Sequence, residues 1–187
     1  MEKKLFCQHC NEEVLTYSVM KDGKEEVCCL YCGLPLRKNE KVDKFKTDEV
    51  IIIHADDSAF MRELVKDIVE KNNICSQFVP FNNGEEAITF YLKSLINKTP
   101  VSLVILDIRM PFLSGLSTAI AIRAIETALE VPKAPILFFS VKQADDEMKK
   151  FINHTTPSFY LNKGATENIE DLEKRLVYAL KTILTKS

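Results

Sequence analysis

The sequence predicts an α/β fold: a five-stranded parallel sheet with helices on both faces, preceded by a small cysteine-rich module. Apolar strand-like runs alternate with helix-period runs from residue 49 onward, and five βα units joined by right-handed crossovers leave few other arrangements. The run Val101-Ser-Leu-Val-Ile-Leu106 is apolar without alternation, as a strand buried on both faces is. Five of the six cysteines crowd into residues 7–32, outside the alternating region.

Residues 1–36 form the first expected unit. Cys7-Gln-His-Cys10 and Cys29-Leu-Tyr-Cys32 are two C-x-x-C knuckles separated by 18 residues, a spacing that can place four thiolates around a tetrahedral Zn2+. Asn11 and Gly33 follow the knuckles and are residue types that tolerate a positive φ. So short a segment buries too little to fold unaided, and metal binding would supply the folding energy. Cys28 adjoins Cys29, but using it would widen the gap to Cys32. His9 lies inside the first knuckle and reads as a spectator, since four thiolates complete the shell. Cys75, in an apolar stretch, reads as a small buried hydrophobe. The module resembles a zinc ribbon, in which two hairpins each offer one knuckle.

Residues 37–48 are charged, with Val42 and Phe45 as the only large apolar residues, and read as a linker or a solvated helix, between which periodicity does not decide. Residues 49–187 carry the alternating pattern. Strands are expected at 50–54, 74–79, 101–106, 135–139 and 158–162, and helices near 58–71, 84–96, 115–129, 142–153 and 167–185. Phe60, Leu64, Val65, Ile68 and Val69 line one face of the first helix. Leu172, Leu176, Ala179, Leu180 and Ile183 do the same in the last.

A net charge of −2 and 46% hydrophobic residues favour neither nucleic acid nor an anionic membrane as partner. Residues 1–48 hold nine Lys/Arg against nine Asp/Glu, and four zinc thiolates would add negative charge. Both features disfavour binding to a phosphate backbone. No apolar run approaches the ~20 residues of a spanning helix, and the N-terminus lacks a signal-peptide core. A cytoplasmic protein without a membrane partner is expected.

Chemistry-bearing residues recur at the expected strand ends. Asp56 and Asp57 follow the first strand, Asp107 the third, Ser140 the fourth and Lys163 the fifth. In open α/β sheets the carboxyl edge is where ligands bind. Three converging carboxylates repel one another unless a cation sits between them. Mg2+, hard and octahedral, suits that donor set.

This ordered set, with Met110-Pro111 and Gly115 after Asp107 and Tyr160 three residues before Lys163, resembles the receiver domain of two-component response regulators. The resemblance spans about residues 48–187 and implies a flavodoxin-like sheet. It implies that Asp107 is the phosphoacceptor, loaded by a sensor histidine kinase or phosphotransfer protein. It further implies Mg2+ bound by Asp57, Asp107 and the backbone carbonyl of Arg109, with Asp56 acting through water. Lys163 and Ser140 would meet the phosphoryl group. Ser140 and Tyr160 would be the switch pair, remodelling the face formed by the fourth helix, fifth strand and fifth helix for protein–protein signalling. Such a protein catalyses only its own phosphorylation and dephosphorylation. Three features depart from the pattern: Gly164 follows Lys163 where receivers carry proline, Val141 replaces a small residue, and Arg109 and Lys142 flank the site. The alternative reading is a zinc-ribbon nucleic-acid-binding transcriptional regulator gated by the receiver.

Overall fold

Strand β4, Ile51–Ala55, and strand β6, Leu103–Leu106, lie inside a parallel sheet, paired on both sides, and their side chains are buried on both faces. The computed structural model describes residues 4–7, 12–21, 24–29, 36, 50–141, 145–164 and 168–186. Its elements run β1 (Lys4–Cys7), β2 (Glu12–Lys21), β3 (Lys24–Cys29), β4, α1 (Ala59–Lys71), β5 (Gln77–Phe81), α2 (Gly84–Ile96), β6, α3 (Gly115–Ala128), β7 (Ile136–Ser140), α4 (Asp146–His154), β8 (Ser158–Asn162) and α5 (Ile169–Lys186). The larger sheet has the order β5-β4-β6-β7-β8, with its pairs parallel, as predicted. Among the described residues no helix is long and apolar enough to cross a membrane.

Strand parity divides the core. Ile52, Leu103, Ile105, Leu137, Phe139 and Leu161 point to one face, where Val65, Ile68 and Val69 of α1 and Leu176 and Leu180 of α5 pack on them. Ile53, Val104, Leu106, Ile136 and Phe138 point to the other, against Tyr91 of α2, Ile122 of α3 and Ile152 of α4. Each of α1 to α4 begins at a side-chain cap: Ser58, Asn83, Ser114 and Asp145 accept backbone N–H groups of the first turn.

Two elements begin three or more residues later than the sequence predicts. Strand β5 starts at Gln77, because Ile74 closes the turn after α1 with its amide on the Val69 carbonyl at 3.1 Å. Its side chain is fully buried, so its hydrophobicity reports the core and not a strand. Helix α4 starts at Asp146, where Asp145 accepts the Met148 amide at 2.9 Å. Residues 142–144, including Lys142, lie outside the described residues.

The N-terminal segment forms a three-stranded antiparallel sheet, β1-β2-β3, whose two hairpins share β2. Cys7 pairs opposite Glu12 and Cys29 opposite Thr16, positions of the same parity as Val14 on β2. All three of Cys7, Val14 and Cys29 are fully buried. Cys10, Cys32, His9, Asn11, Gly33 and the Cys28 side chain lie outside the described residues.

Candidate functional site

The chain order of the sheet reverses between β4 and β6, and the crevice at their carboxyl ends is the topological switch point at which such folds bind ligands. Asp56 and Asp57 leave the end of β4, and Asp107 leaves the end of β6 with its amide on the Ala55 carbonyl at 2.8 Å. The three carboxylates offer ligand atoms that all lie within 4.8 Å of one another. Lys163, just past β8, reaches in with its ammonium 2.6 Å from Oδ2 of Asp56 and 2.8 Å from Oδ1 of Asp107. The cation expected between the acids is thus in part the protein's own lysine. Its Nζ also lies 5.2 Å from the centre of the Phe139 ring.

Local geometry orients each acid. Oδ1 of Asp56 accepts the Ser58 amide at 2.9 Å, and Ser58 in turn caps α1. Arg62, one turn into α1, donates from Nη1 to the Asp56 carbonyl at 2.6 Å. Oδ2 of Asp107 accepts the Arg109 amide at 3.0 Å, while the Arg109 side chain is exposed. A Cβ on Gly115 would fall 2.0 Å from the Asp107 carbonyl oxygen, so only glycine lets α3 begin directly against the Asp107 backbone. Asp57 is exposed, whereas Asp56 is 1% and Asp107 7% exposed. Burial opposes the charge on Asp56, but polar contacts with His54 and Lys163 outweigh it and hold its carboxyl below the usual range.

Ser140 ends β7, buried, and its carbonyl accepts the Lys163 amide at 2.8 Å. Tyr160 is buried in the edge strand β8. Asn162 donates from Nδ2 to the Tyr160 hydroxyl at 3.4 Å and to the Val141 carbonyl at 3.5 Å, and its Oδ1 accepts the Gly164 amide at 2.7 Å. The Val141 side chain is exposed. The Lys163–Gly164 bond is trans, Thr156–Pro157 being the one cis peptide among the described residues.

Sequence reading did not single out His54, Arg62 or Asn162. A signal existed for His54, the one polar residue in Ile51-Ile-Ile-His-Ala55 and two positions, hence one strand face, from Asp56. It is fully buried, with Nε2 3.6 Å from Oδ2 of Asp56.

The chain belongs to the response regulator receiver domain family, whose profile matches residues 51–176. Among curated proteins it is 24% identical over 130 residues to a protein-glutamate methylesterase/protein-glutamine glutaminase of Methanococcoides burtonii, covering 68% of this chain and 34% of that protein. It is 32% identical over 89 residues to a Syntrophomonas wolfei protein of the same name, covering 48% of this chain and 22% of the other. The chain thus spans about a third or less of the length of these relatives. Among solved structures, the receiver domain of the histidine kinase CKI1 from Arabidopsis thaliana, complexed with Mg2+ and BeF3−, superposes with a TM-score of 0.57 at 18% identity, covering 68% of this chain and 90% of that one. The response regulator domain of Thermotoga maritima CheB gives 0.54 at 18% identity, covering 73% and 96%. The nucleic-acid-binding alternative draws no support from these likenesses.

Proposed function

We propose that this chain is a phosphoacceptor response regulator. Asp107 takes a phosphoryl group from a sensor histidine kinase or phosphotransfer protein, and the loaded form signals by protein–protein contact. The observation that carries this reading is Lys163 Nζ bridging Asp56 and Asp107 at 2.6 and 2.8 Å, at a sheet edge where three carboxylates converge. An all-oxygen donor set of Asp57, Asp107 and the Arg109 carbonyl, with Asp56 acting through water, suits Mg2+. Bound there, Mg2+ supplies charge neutralisation at the phosphoryl oxygens.

In the transfer, an Asp107 oxygen bonds to phosphorus as the phosphorus–nitrogen bond of the donor phosphohistidine breaks, and the imidazole leaves with the electron pair. Lys163 turns its ammonium to the phosphoryl oxygens. The Ser140 hydroxyl meets the same oxygens. Tyr160 follows it, altering the face of α4, β8 and α5 for a protein target. The chain on this reading catalyses only its own phosphorylation and dephosphorylation and works in the cytoplasm. The test is incubation with Mg2+ and a small acyl phosphate, read by mass spectrometry of the intact chain. One added phosphoryl group is expected, and a chain that gains none overturns the reading.

Lifetime should depend on Val141, which follows Ser140 just past the end of β7 with an exposed side chain. Hydrolysis needs a water in line with the bond to Asp107, and a branched side chain at the rim narrows that approach. Val141→Ala is expected to shorten the half-life of the loaded protein a few-fold after donor removal. An unchanged or longer half-life would refute the shielding role.

Residues 1–36 are read as a zinc ribbon, 37–48 as a linker and 49–187 as the receiver. Supporting the first is the burial of Cys7 and Cys29 at positions of the same strand parity, with Cys10 and Cys32 completing the four thiolates. The purified chain should carry close to one Zn2+. Cys29→Ser should abolish binding and Cys28→Ser should retain it; equal loss from both would show that the ligands are misassigned.

A further inference from the structure

Burying an imidazole costs free energy unless its nitrogens find partners. His54 is fully buried in β4, and neither ring nitrogen has a hydrogen-bond partner among the described residues. Its ring lies beside Phe78, with centroids 6.0 Å apart. Nε2 nevertheless sits 3.6 Å from Oδ2 of Asp56, beyond hydrogen-bonding distance. That oxygen is the one Lys163 holds at 2.6 Å, while the Ser58 amide occupies Oδ1 at 2.9 Å. Facing a carboxylate, the ring favours the tautomer with hydrogen on Nε2, because a bare lone pair there would repel the oxygen.

Loading of Asp107 changes what that oxygen needs. An ammonium that turns to the phosphoryl group gives up its short bond to Asp56. Asp56 is 1% exposed, so bulk water is poorly placed to replace the donor; beside the Ser58 amide and the Mg2+-bound water, Oδ2 keeps lone-pair capacity left by the ammonium, and a buried carboxylate oxygen short of a donor is costly. We infer that His54 is a positioning residue for phosphoryl transfer: its Nε2–H closes on Oδ2 of Asp56 as Lys163 leaves, keeping the buried carboxylate paired through the step. A shift of about 0.7 Å brings Nε2 within the usual ~2.9 Å of a hydrogen bond. This role rests on the phosphoacceptor reading.

The test uses the full chain labelled with 15N, alone and with Mg2+ plus beryllofluoride as a phosphoryl mimic. The chain has three histidines, so the His54 signals are assigned by their loss in His54→Gln. The Nε2–H tautomer is expected in both states. On loading, its proton should move downfield and exchange more slowly. Glutamine can present an amide N–H near the Nε2 position, so His54→Gln should load from a small acyl phosphate within about threefold of wild type. His54→Leu lacks a donor and should load roughly 10- to 100-fold more slowly, the usual penalty for losing an outer-shell partner. The Nδ1–H tautomer, an Nε2–H signal unmoved by beryllofluoride, or equally slow loading by both variants would overturn the role. If leucine prevents folding, the tautomer, the loading shift and the glutamine rate still decide. Wild-type protein that binds beryllofluoride with no His54 response overturns this inference alone. Wild-type protein that neither binds beryllofluoride nor loads overturns the phosphoacceptor reading as well.

Discussion

Asp107→Asn is expected to lower phosphoryl uptake by roughly a thousandfold or more, equivalent to about 4 kcal/mol of barrier. The amide is a poor nucleophile and a weaker ligand for a hard cation, so one substitution removes the bond-forming atom and part of the metal shell. The fold should tolerate the change. Lys163 keeps its 2.6 Å bond to Asp56, and one of three converging negative charges is gone, which relieves repulsion. Peptide mapping of the loaded wild-type protein should place the label on Asp107. Asp56 is the more deeply buried, 1% exposed against 7% for Asp107, so a phosphodonor reaches it less readily. Asp57 is the exposed competitor, and a label that persists there in Asp107→Asn would move the assignment to Asp57.

The acids were legible because strand ends are. An apolar run that stops at an aspartate marks both a buried strand and the atom it delivers to the sheet edge, and Asp56, Asp57, Asp107, Ser140 and Lys163 each follow such a run. A parallel sheet with helices on both faces then follows from right-handed crossovers. Ile74 misled for the opposite reason: its burial is tertiary, in the turn after α1, and local pattern cannot separate a core residue in a turn from the first residue of a strand. His54 carried only the signal of being out of place among isoleucines. Its aim at Asp56 depends on how far β4 carries the acid past the sheet, which composition does not record.

Arg123 and Glu126 were silent for a further reason. Two charges three residues apart on a helix usually mark a solvated face. Here they are buried, because Tyr91, Ala134, Thr155 and Pro157 come from four other points in the chain to meet them.

Arg123→Met is accordingly expected to cost about 3–5 kcal/mol of stability, the scale seen when one partner of a buried ion pair is removed. The guanidinium donates to Glu126 at 2.6 Å, to the Thr155 carbonyl at 2.8 Å, to that of Ala134 at 2.9 Å and to that of Pro157 at 3.1 Å. The other Glu126 oxygen accepts the Tyr91 hydroxyl at 2.6 Å and the Ala134 amide at 2.7 Å. Burial and the adjoining Glu126 carboxylate push the Tyr91 hydroxyl pKa far up, so it stays a donor. Removing the arginine leaves Glu126, itself 1% exposed, as an uncompensated charge joining α2, α3 and the strand approaches to β7 and β8. A domain of this size has only ~5–15 kcal/mol to lose, so the urea midpoint should fall steeply. Adding Glu126→Gln keeps an acceptor for Tyr91 and the Ala134 amide while removing the charge. It should restore on the order of 1–3 kcal/mol, the desolvation cost of the stranded group. A double variant no more stable than Arg123→Met alone would show that the lost carbonyl contacts, and not the unpaired carboxylate, account for the loss. A single variant with an unchanged midpoint would show that the network contributes little to stability.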